Sequence, residues 1–239
     1  MKKFYILLFI CSWFSQQIFA QDMNSVFPKH VMLLGGDRKI SKVRTLVIDL
    51  EIQTAQGTLP AKIKIINEIG YKLEMTQKNT RYFEIVSSEG YSIYNPVTNA
   101  KEIHRPESKE YKVRQFLTKI FPLKDYNNPA FKSNLEINGK EEIEGKPCFV
   151  YKMMLDGPET YNLYYIDEVT FQIVKVKSIY TNEKGESKEF EYGYSNFQKA
   201  KDGSYYPLSI STPFGIATVK SYQFDEPVGG NEFVFDISK

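Results

Sequence analysis

The stretch Thr45-Leu-Val-Ile-Asp-Leu-Glu-Ile52 decides the fold. Leu46, Ile48, Leu50 and Ile52 alternate with Thr45, Val47, Asp49 and Glu51. A period of two sends successive side chains to opposite faces, so this is a strand with one covered and one wet face. The pattern repeats outward. Ile63 and Ile65 alternate with Lys62 and Lys64, and Tyr71, Leu73 and Met75 with Lys72 and Glu74. Gly57 and Gly70 fall between these runs and read as turns. Half-polar alternation of this kind belongs to antiparallel sheets.

Before this region, residues 22–36 predict a helix. Val26, Val31, Leu33 and Leu34 are its apolar positions, Pro28 fits its first turn, and Gly35-Gly36 is its stop. After it, strands are predicted at Arg81–Val86, Tyr91–Asn95 and Lys101–His104, and a second helix over 107–121. The segment 122–134 is rich in Asn and Pro and reads as a loop. A second strand series begins at Leu135–Ile137, with Asn138-Gly139 as a hairpin turn. It continues through Phe149, Tyr151 and Met153, then Tyr161–Ile166, Gln172–Tyr180, Lys188–Tyr194, Tyr205–Thr212 and Ile216–Phe224, with a short tail at Phe233–Ile237. Roughly ten or eleven strands and two helices in one domain describe an all-β sandwich or barrel.

The first twenty residues have another purpose. Lys2 and Lys3 precede an apolar run from Phe4 to Phe14, and Ala20 supplies a small residue for cleavage. That is the pattern of a secretory signal peptide covering residues 1–20. The apolar run is too short for a bilayer-spanning helix, which needs ~20 residues. Cys11 follows Ile10 rather than a small residue, which argues against lipid attachment there. Residues 21–239 are then the mature domain. Of 31 basic residues, Lys2 and Lys3 leave with the leader, and the remaining 29 equal the 29 acids. A neutral chain has no field to draw it to nucleic acid or to an anionic membrane. Only Cys148 of the two cysteines remains, so no internal disulfide forms.

Catalytic and metal chemistry find little support. The two histidines, His30 and His104, lie apart, and no Gly-x-Ser-x-Gly elbow accompanies either. Three His or Cys residues far apart do not make a zinc site. Glu141, Glu142 and Glu144, and Asp167 with Glu168, read as solvated turns rather than paired catalytic carboxylates. Gly35-Gly36-Asp37 lacks the spacing of a phosphate loop. Cys148 reads as a small buried hydrophobe. No catalytic residue, metal ligand or cofactor is expected, and a hydrolase is the least supported alternative.

A long antiparallel sheet twists and curls. Two helices of about 15 residues do not cover the concave face of so many strands. Uncovered apolar residues are buried by loops, a partner or a bound apolar molecule. The candidate lining residues are Leu46, Ile48, Leu50, Ile63, Ile65, Leu73, Met75, Phe149, Tyr151 and Met153. The competing reading is that these ten simply form a closed core.

Four segments carry a resemblance to a known family. They are His30-Val-Met-Leu-Leu-Gly-Gly-Asp-Arg-Lys-Ile-Ser-Lys-Val-Arg-Thr45, Ser88-Glu-Gly-Tyr-Ser-Ile-Tyr-Asn-Pro96, Leu163-Tyr-Tyr-Ile-Asp-Glu-Val-Thr-Phe-Gln-Ile-Val-Lys175 with Gly203 and Pro207 following, and Tyr222-Gln-Phe-Asp-Glu-Pro-Val-Gly-Gly-Asn-Glu-Phe-Val-Phe235. In this order the chain resembles the outer-membrane lipoprotein carriers (LolA/LolB-like), and more closely the lipoprotein-sorting-like secreted proteins of Bacteroidetes-type bacteria. The resemblance implies a mainly β (α+β) fold: a strongly curved antiparallel sheet forming an incomplete β-barrel, with two or so helices as a lid over the concave face. It also implies a periplasmic, monomeric, non-enzymatic protein whose apolar cavity takes a lipid or lipoprotein acyl chain. One departure stands out. The carriers have an Arg-Pro step before the strand that enters the cavity, where this chain has Ile63-Lys-Ile-Ile-Asn-Glu68. The fold and a lipid-binding tendency follow from the resemblance more directly than the transport role. The alternative is an envelope protein-interaction module with its cavity filled by its own side chains.

Overall fold

The computed structural model describes residues 23–54, 57–77, 80–95 and 100–234. The expected signal peptide, residues 1–20, lies outside them. Thirteen strands form one antiparallel sheet: β1 Thr45–Thr54, β2 Gly57–Ile66, β3 Gly70–Gln77, β4 Thr80–Ser87, β5 Gly90–Asn95, β6 Ala100–His104, β7 Leu135–Ile143, β8 Lys146–Met154, β9 Tyr161–Asp167, β10 Ile173–Thr181, β11 Ser187–Lys199, β12 Tyr205–Thr212 and β13 Gly215–Phe224. That exceeds the ten or eleven expected, because each short alternating run holds a strand of its own. Helices are few: α1 Met23–Leu33, α2 Asp37–Ile40, α3 Lys109–Arg114 and α4 Pro129–Lys132, with a 3-10 turn at Gln115–Thr118 and another at Gly230–Phe233.

The spatial order is β6-β5-β4-β3-β2-β1-β13-β12-β11-β10-β9-β8-β7. β1 is hydrogen-bonded to β2 on one side and to β13 on the other. Two meanders therefore run outward from the middle, and β6 and β7 form the two edges among the described residues. This is an open, mainly β, single-sheet fold with helices, as expected, and not a two-layer sandwich. Register aligns the covered face: Leu46 and Ile48 sit opposite Ile65 and Ile63, which sit opposite Tyr71 and Leu73.

Curvature follows from what α3 touches. This six-residue helix packs against both β5 and β10. Those strands are eight places apart in the sheet. At ~4.8 Å per strand, a flat sheet would separate them by roughly 38 Å, against a helix roughly 9 Å long. The sheet must wrap around the helix. A polar rivet fastens it there. Arg114 on α3 donates to Glu84 of β4 at 2.8 Å, and Tyr192 of β11 donates to the same carboxylate at 3.2 Å. The guanidinium lies 4.2 Å from the ring centroid of Tyr91 and 3.9 Å from that of Phe190. Tyr180 of β10 donates to Glu110 at 2.7 Å, and Arg114 also reaches Glu110 at 3.1 Å. Asn162 and Ser178 complete the seat, with the Asn162 amide donating to Val113 O at 3.2 Å. Burial works against the Arg114 charge, but Glu84 together with the surrounding Tyr91, Tyr192 and Glu110 outweighs it and raises its pKa. Burial likewise lifts the Glu84 carboxyl above its ordinary range, opposed by Arg114.

Several local expectations are corrected. Asn138-Gly139 is not the hairpin turn; it lies inside β7, where the register shifts between Ile137 and Lys140. The turn falls at Glu144-Gly145, both at positive φ (51° and 78°), the combination a tight two-residue hairpin demands. Glu141 and Glu142 thus belong to an exposed strand rather than a turn. The helix over 107–121 ends at Arg114 and tightens into the 3-10 turn, because Phe116, Leu117 and Thr118 are all buried in succession, which a one-faced helix cannot provide. The 122–134 loop contains α4, capped by Asn128 with Pro129 in its first turn. Pro28 lies inside α1 rather than in its first turn. The tail begins as a 3-10 turn ending at Phe233, and residues 235–239 of the expected Phe233–Ile237 strand lie outside the described residues.

On the convex side, Phe233 lies against Gly70, where a Cβ would meet its ring at 2.5 Å. Glu232 pairs with Lys64 and Lys72 beside it, so the C-terminal segment straps β2 and β3 from outside.

Removing one member of a buried ion pair strands the other in low dielectric, at a cost of about 3–5 kcal/mol. Arg114→Met should lower stability by that amount in urea unfolding. Arg114→Met combined with Glu84→Leu should cost less than Arg114→Met alone. An unchanged midpoint for the single variant would show that the rivet does not hold α3 inside the sheet.

Candidate functional site

The segment from Arg105 to Asn134 joins β6 to β7, which lie at opposite edges. It has to cross the concave side, and it does so as α3, the 3-10 turn and a run of bends and turns leading to α4. α1 covers a neighbouring part of the same face. Phe27 packs at 4.7 Å from Tyr151 and 6.0 Å from Tyr126.

Two hairpin turns hold the C-terminal half of α1. At the β9–β10 turn, His30 Nδ1 donates to Phe171 O at 2.9 Å, and Lys29 sits 4.4 Å over the Phe171 ring. At the β11–β12 turn, Ser204 donates to Leu34 O at 3.1 Å, while Lys39 pairs with Asp202 and donates to Ser204 at 2.7 Å. The double glycine makes this second docking possible. Gly35 and Gly36 have φ of 106° and 80°, and a Cβ on Gly35 would lie 2.5 Å from Lys39 Cδ.

Between these covers and the sheet is a cavity of about 190 Å³. Its floor is Leu46, Ile48, Ile63, Ile65, Val176 and Ile210, with tyrosines 192, 194 and 222 beside them; its roof includes Leu33, Phe116, Leu117 and Phe121. Leu33 and Tyr205 also line a shallow surface groove formed by Met32, Phe171 and Gly203, so the cavity adjoins the outside at the end of α1. A dry apolar cavity of ~150 Å³ takes benzene. By that measure this one holds roughly seven or eight carbons without any movement of the lid.

Of the ten expected lining residues, Leu46, Ile48, Ile63 and Ile65 stand in the cavity wall. Leu50, Leu73, Met75, Phe149, Tyr151 and Met153 are buried in the same apolar cluster but outside that wall. Leu73 neighbours the Glu84 end of the sheet, and Tyr151 lies under Phe27. The aromatic wall from β11 to β13 was missed, although Tyr192 and Tyr194 show the same two-residue spacing. Phe116 and Leu117 were assigned to a helix and not to the site.

No catalytic arrangement is visible in the wall. His30 is the imidazole there, and burial lowers its pKa to about 4, with the Phe171 hydrogen bond opposing. His104 lies on the other side of the rivet, 3.5 Å from both Glu102 and Glu110. Cys148 is fully buried, and desolvation pushes its thiol up to about 11. Among the described residues, no group of three or more His, Cys, Asp or Glu is placed to hold a metal. Among the same residues, no helix is long and apolar enough to cross a membrane.

No protein-family model matches the chain. No curated protein matches it in sequence. Among solved structures, it is similar to a LolA superfamily protein of Nitrosomonas europaea, with 10% identity, TM-score 0.49, and coverage of 92% of this chain and 99% of the other. It is also similar to a DUF1329 family protein of Desulfovibrio piger, with 10% identity, TM-score 0.42, and coverage of 88% and 96%. A third likeness is to the MucA/MucB complex of Pseudomonas aeruginosa, with 11% identity, TM-score 0.31, and coverage of 87% and 60%.

A histidine held neutral in the fold but charged when unfolded makes stability depend on pH. His30 contributes its full share above pH ~6.5, loses it as pH falls, and has lost it by pH ~4, a span worth about 3 kcal/mol. In urea titrations from pH 7 to 4, His30→Gln should lose less stability than wild type by that margin. Parallel curves for the two proteins would mean that His30 is not buried as described.

Proposed function

We propose that this protein is a non-enzymatic binding protein of the periplasm, holding an alkyl or acyl chain between the concave sheet face and its lid. The observation that carries the reading is the cavity of about 190 Å³, walled by apolar side chains and adjoining a surface groove. An alkyl chain that fills a mainly apolar space is held by about 0.8 kcal/mol per buried methylene. No directional polar contact is needed, which suits an alkyl chain. Leu46, Ile48, Ile63 and Ile65 would touch the ligand first. Leu50, Leu73, Met75, Phe149, Tyr151 and Met153 would join them only for a longer chain that parts α1 and the crossover from the sheet. For α1 to part from the sheet, its contacts to the two hairpin turns would have to break. A periplasmic location rests on the leader-like residues 1–20, and a place in lipoprotein sorting on the family resemblance. The Ile63–Glu68 stretch without Arg-Pro favours binding over a dedicated carrier cycle.

A fluorescent medium-chain fatty acid should bind the purified protein and be displaced by unlabelled chains. Ile48→Trp, which fills the cavity floor, should weaken that binding about tenfold, as loss of roughly two buried methylenes predicts. Its unfolding midpoint serves as the control for folding. If no chain binds and native mass spectrometry finds no co-purified lipid, the envelope docking reading replaces this one.

A further inference from the structure

The charged groups around the cavity are one-sided. Among the described residues, its lining contains a single formally charged side chain outside the neutral His30, and that is Lys119; no Asp or Glu of those residues lines it. Lys119 follows the 3-10 turn and is half-buried, with its ammonium 5.9 Å from the Phe131 ring centroid. Among the described residues no ion pair or side-chain hydrogen bond engages that ammonium. Several lysines elsewhere on the sheet are matched by carboxylates. Lys62 pairs with Asp49, Lys175 with Glu191, Lys177 with Glu189 and Lys220 with Glu51. Glu68, whose N–H bonds to Thr118 O beside this turn, pairs with Lys124.

A cation against an apolar wall loses hydration, and a ring 5.9 Å away returns only part of that loss, whereas an anion would meet the charge directly. We infer that the ligand is a single-chain amphiphile with an anionic head, its alkyl tail in the cavity and its carboxylate on Lys119. This rests on the chain-binding reading above and narrows it from any apolar chain to a fatty-acid-like one. The tail accounts for the apolar floor, and the head accounts for the one unmatched charge. A neutral amphiphile of the same length would leave that charge unmet.

Octanoate and 1-octanol share a chain length that fits the cavity and differ in head charge. Calorimetric titration at pH 8 should show octanoate binding the wild-type protein about tenfold more tightly than octanol, the scale of one charge-assisted hydrogen bond. Lys119→Met keeps the apolar stem and removes the charge; it should reverse the order, since a bare apolar cavity rejects a carboxylate. Lys119→Arg should keep the wild-type order. Octyl phosphate, run alongside, distinguishes the head: binding tighter than octanoate overturns the carboxylate assignment. Equal binding of octanoate and octanol to wild type, or a preference for octanoate that survives Lys119→Met, overturns the inference while leaving chain binding intact. Failure of both ligands to bind overturns the chain-binding reading itself.

Discussion

The position of β1 constrains everything else. It is hydrogen-bonded on one side to the strand that follows it and on the other to the last strand of the sheet. Once the two meanders are anchored at the same central strand, their far ends are driven to opposite edges. The chain between them then has no short path. It crosses the hollow side, and the same residues that connect the meanders become the cover of the cavity. This part of the cover and the connection are one segment, so it cannot be deleted without losing the topology.

That segment divides the hollow side into two regions of different chemistry. At the α3 end the concave face carries Glu84, Asn162, Ser178 and Tyr180, satisfied by α3 and, for Ser178, by Asn162. Past the 3-10 turn the face carries Leu46, Ile48, Ile63 and Ile65, covered but not filled. Polar matching fixes the first region in one arrangement, because a buried charge tolerates little displacement. Apolar contact is non-directional, so the second region can change its contents at low cost. The rigid end supplies a fixed point against which the other end can move.

How much of this was legible in the sequence follows the same division. Leu46 to Ile52 announced strand and face correctly, since a period of two is a local signal. Asn138-Gly139 misled, because a strong turn dipeptide was overridden by pairing of Leu135 and Ile137 with β8, leaving the glycine to serve a bulge. The site was half legible. Alternation reveals which side chains point inward, but not which inward positions the cover presses against, so Leu46 and Tyr151 looked alike and differ in fact. The Arg114–Glu84 pair was invisible: thirty residues separate its members, and each reads alone as a surface charge. Lys119 was likewise one lysine among many until its neighbours were known.

The unclosed sheet leaves two strand edges, and both are poor templates. β6 spans only Ala100–His104. β7 is longer, but it is bent at the Asn138-Gly139 bulge and exposes Glu136, Lys140, Glu141 and Glu142. A second chain attempting to add there would meet an interrupted ladder and a row of carboxylates. The Asn138-Gly139 bulge thus guards against edge-to-edge polymerisation, which lets the sheet stay open without growing into a fibre.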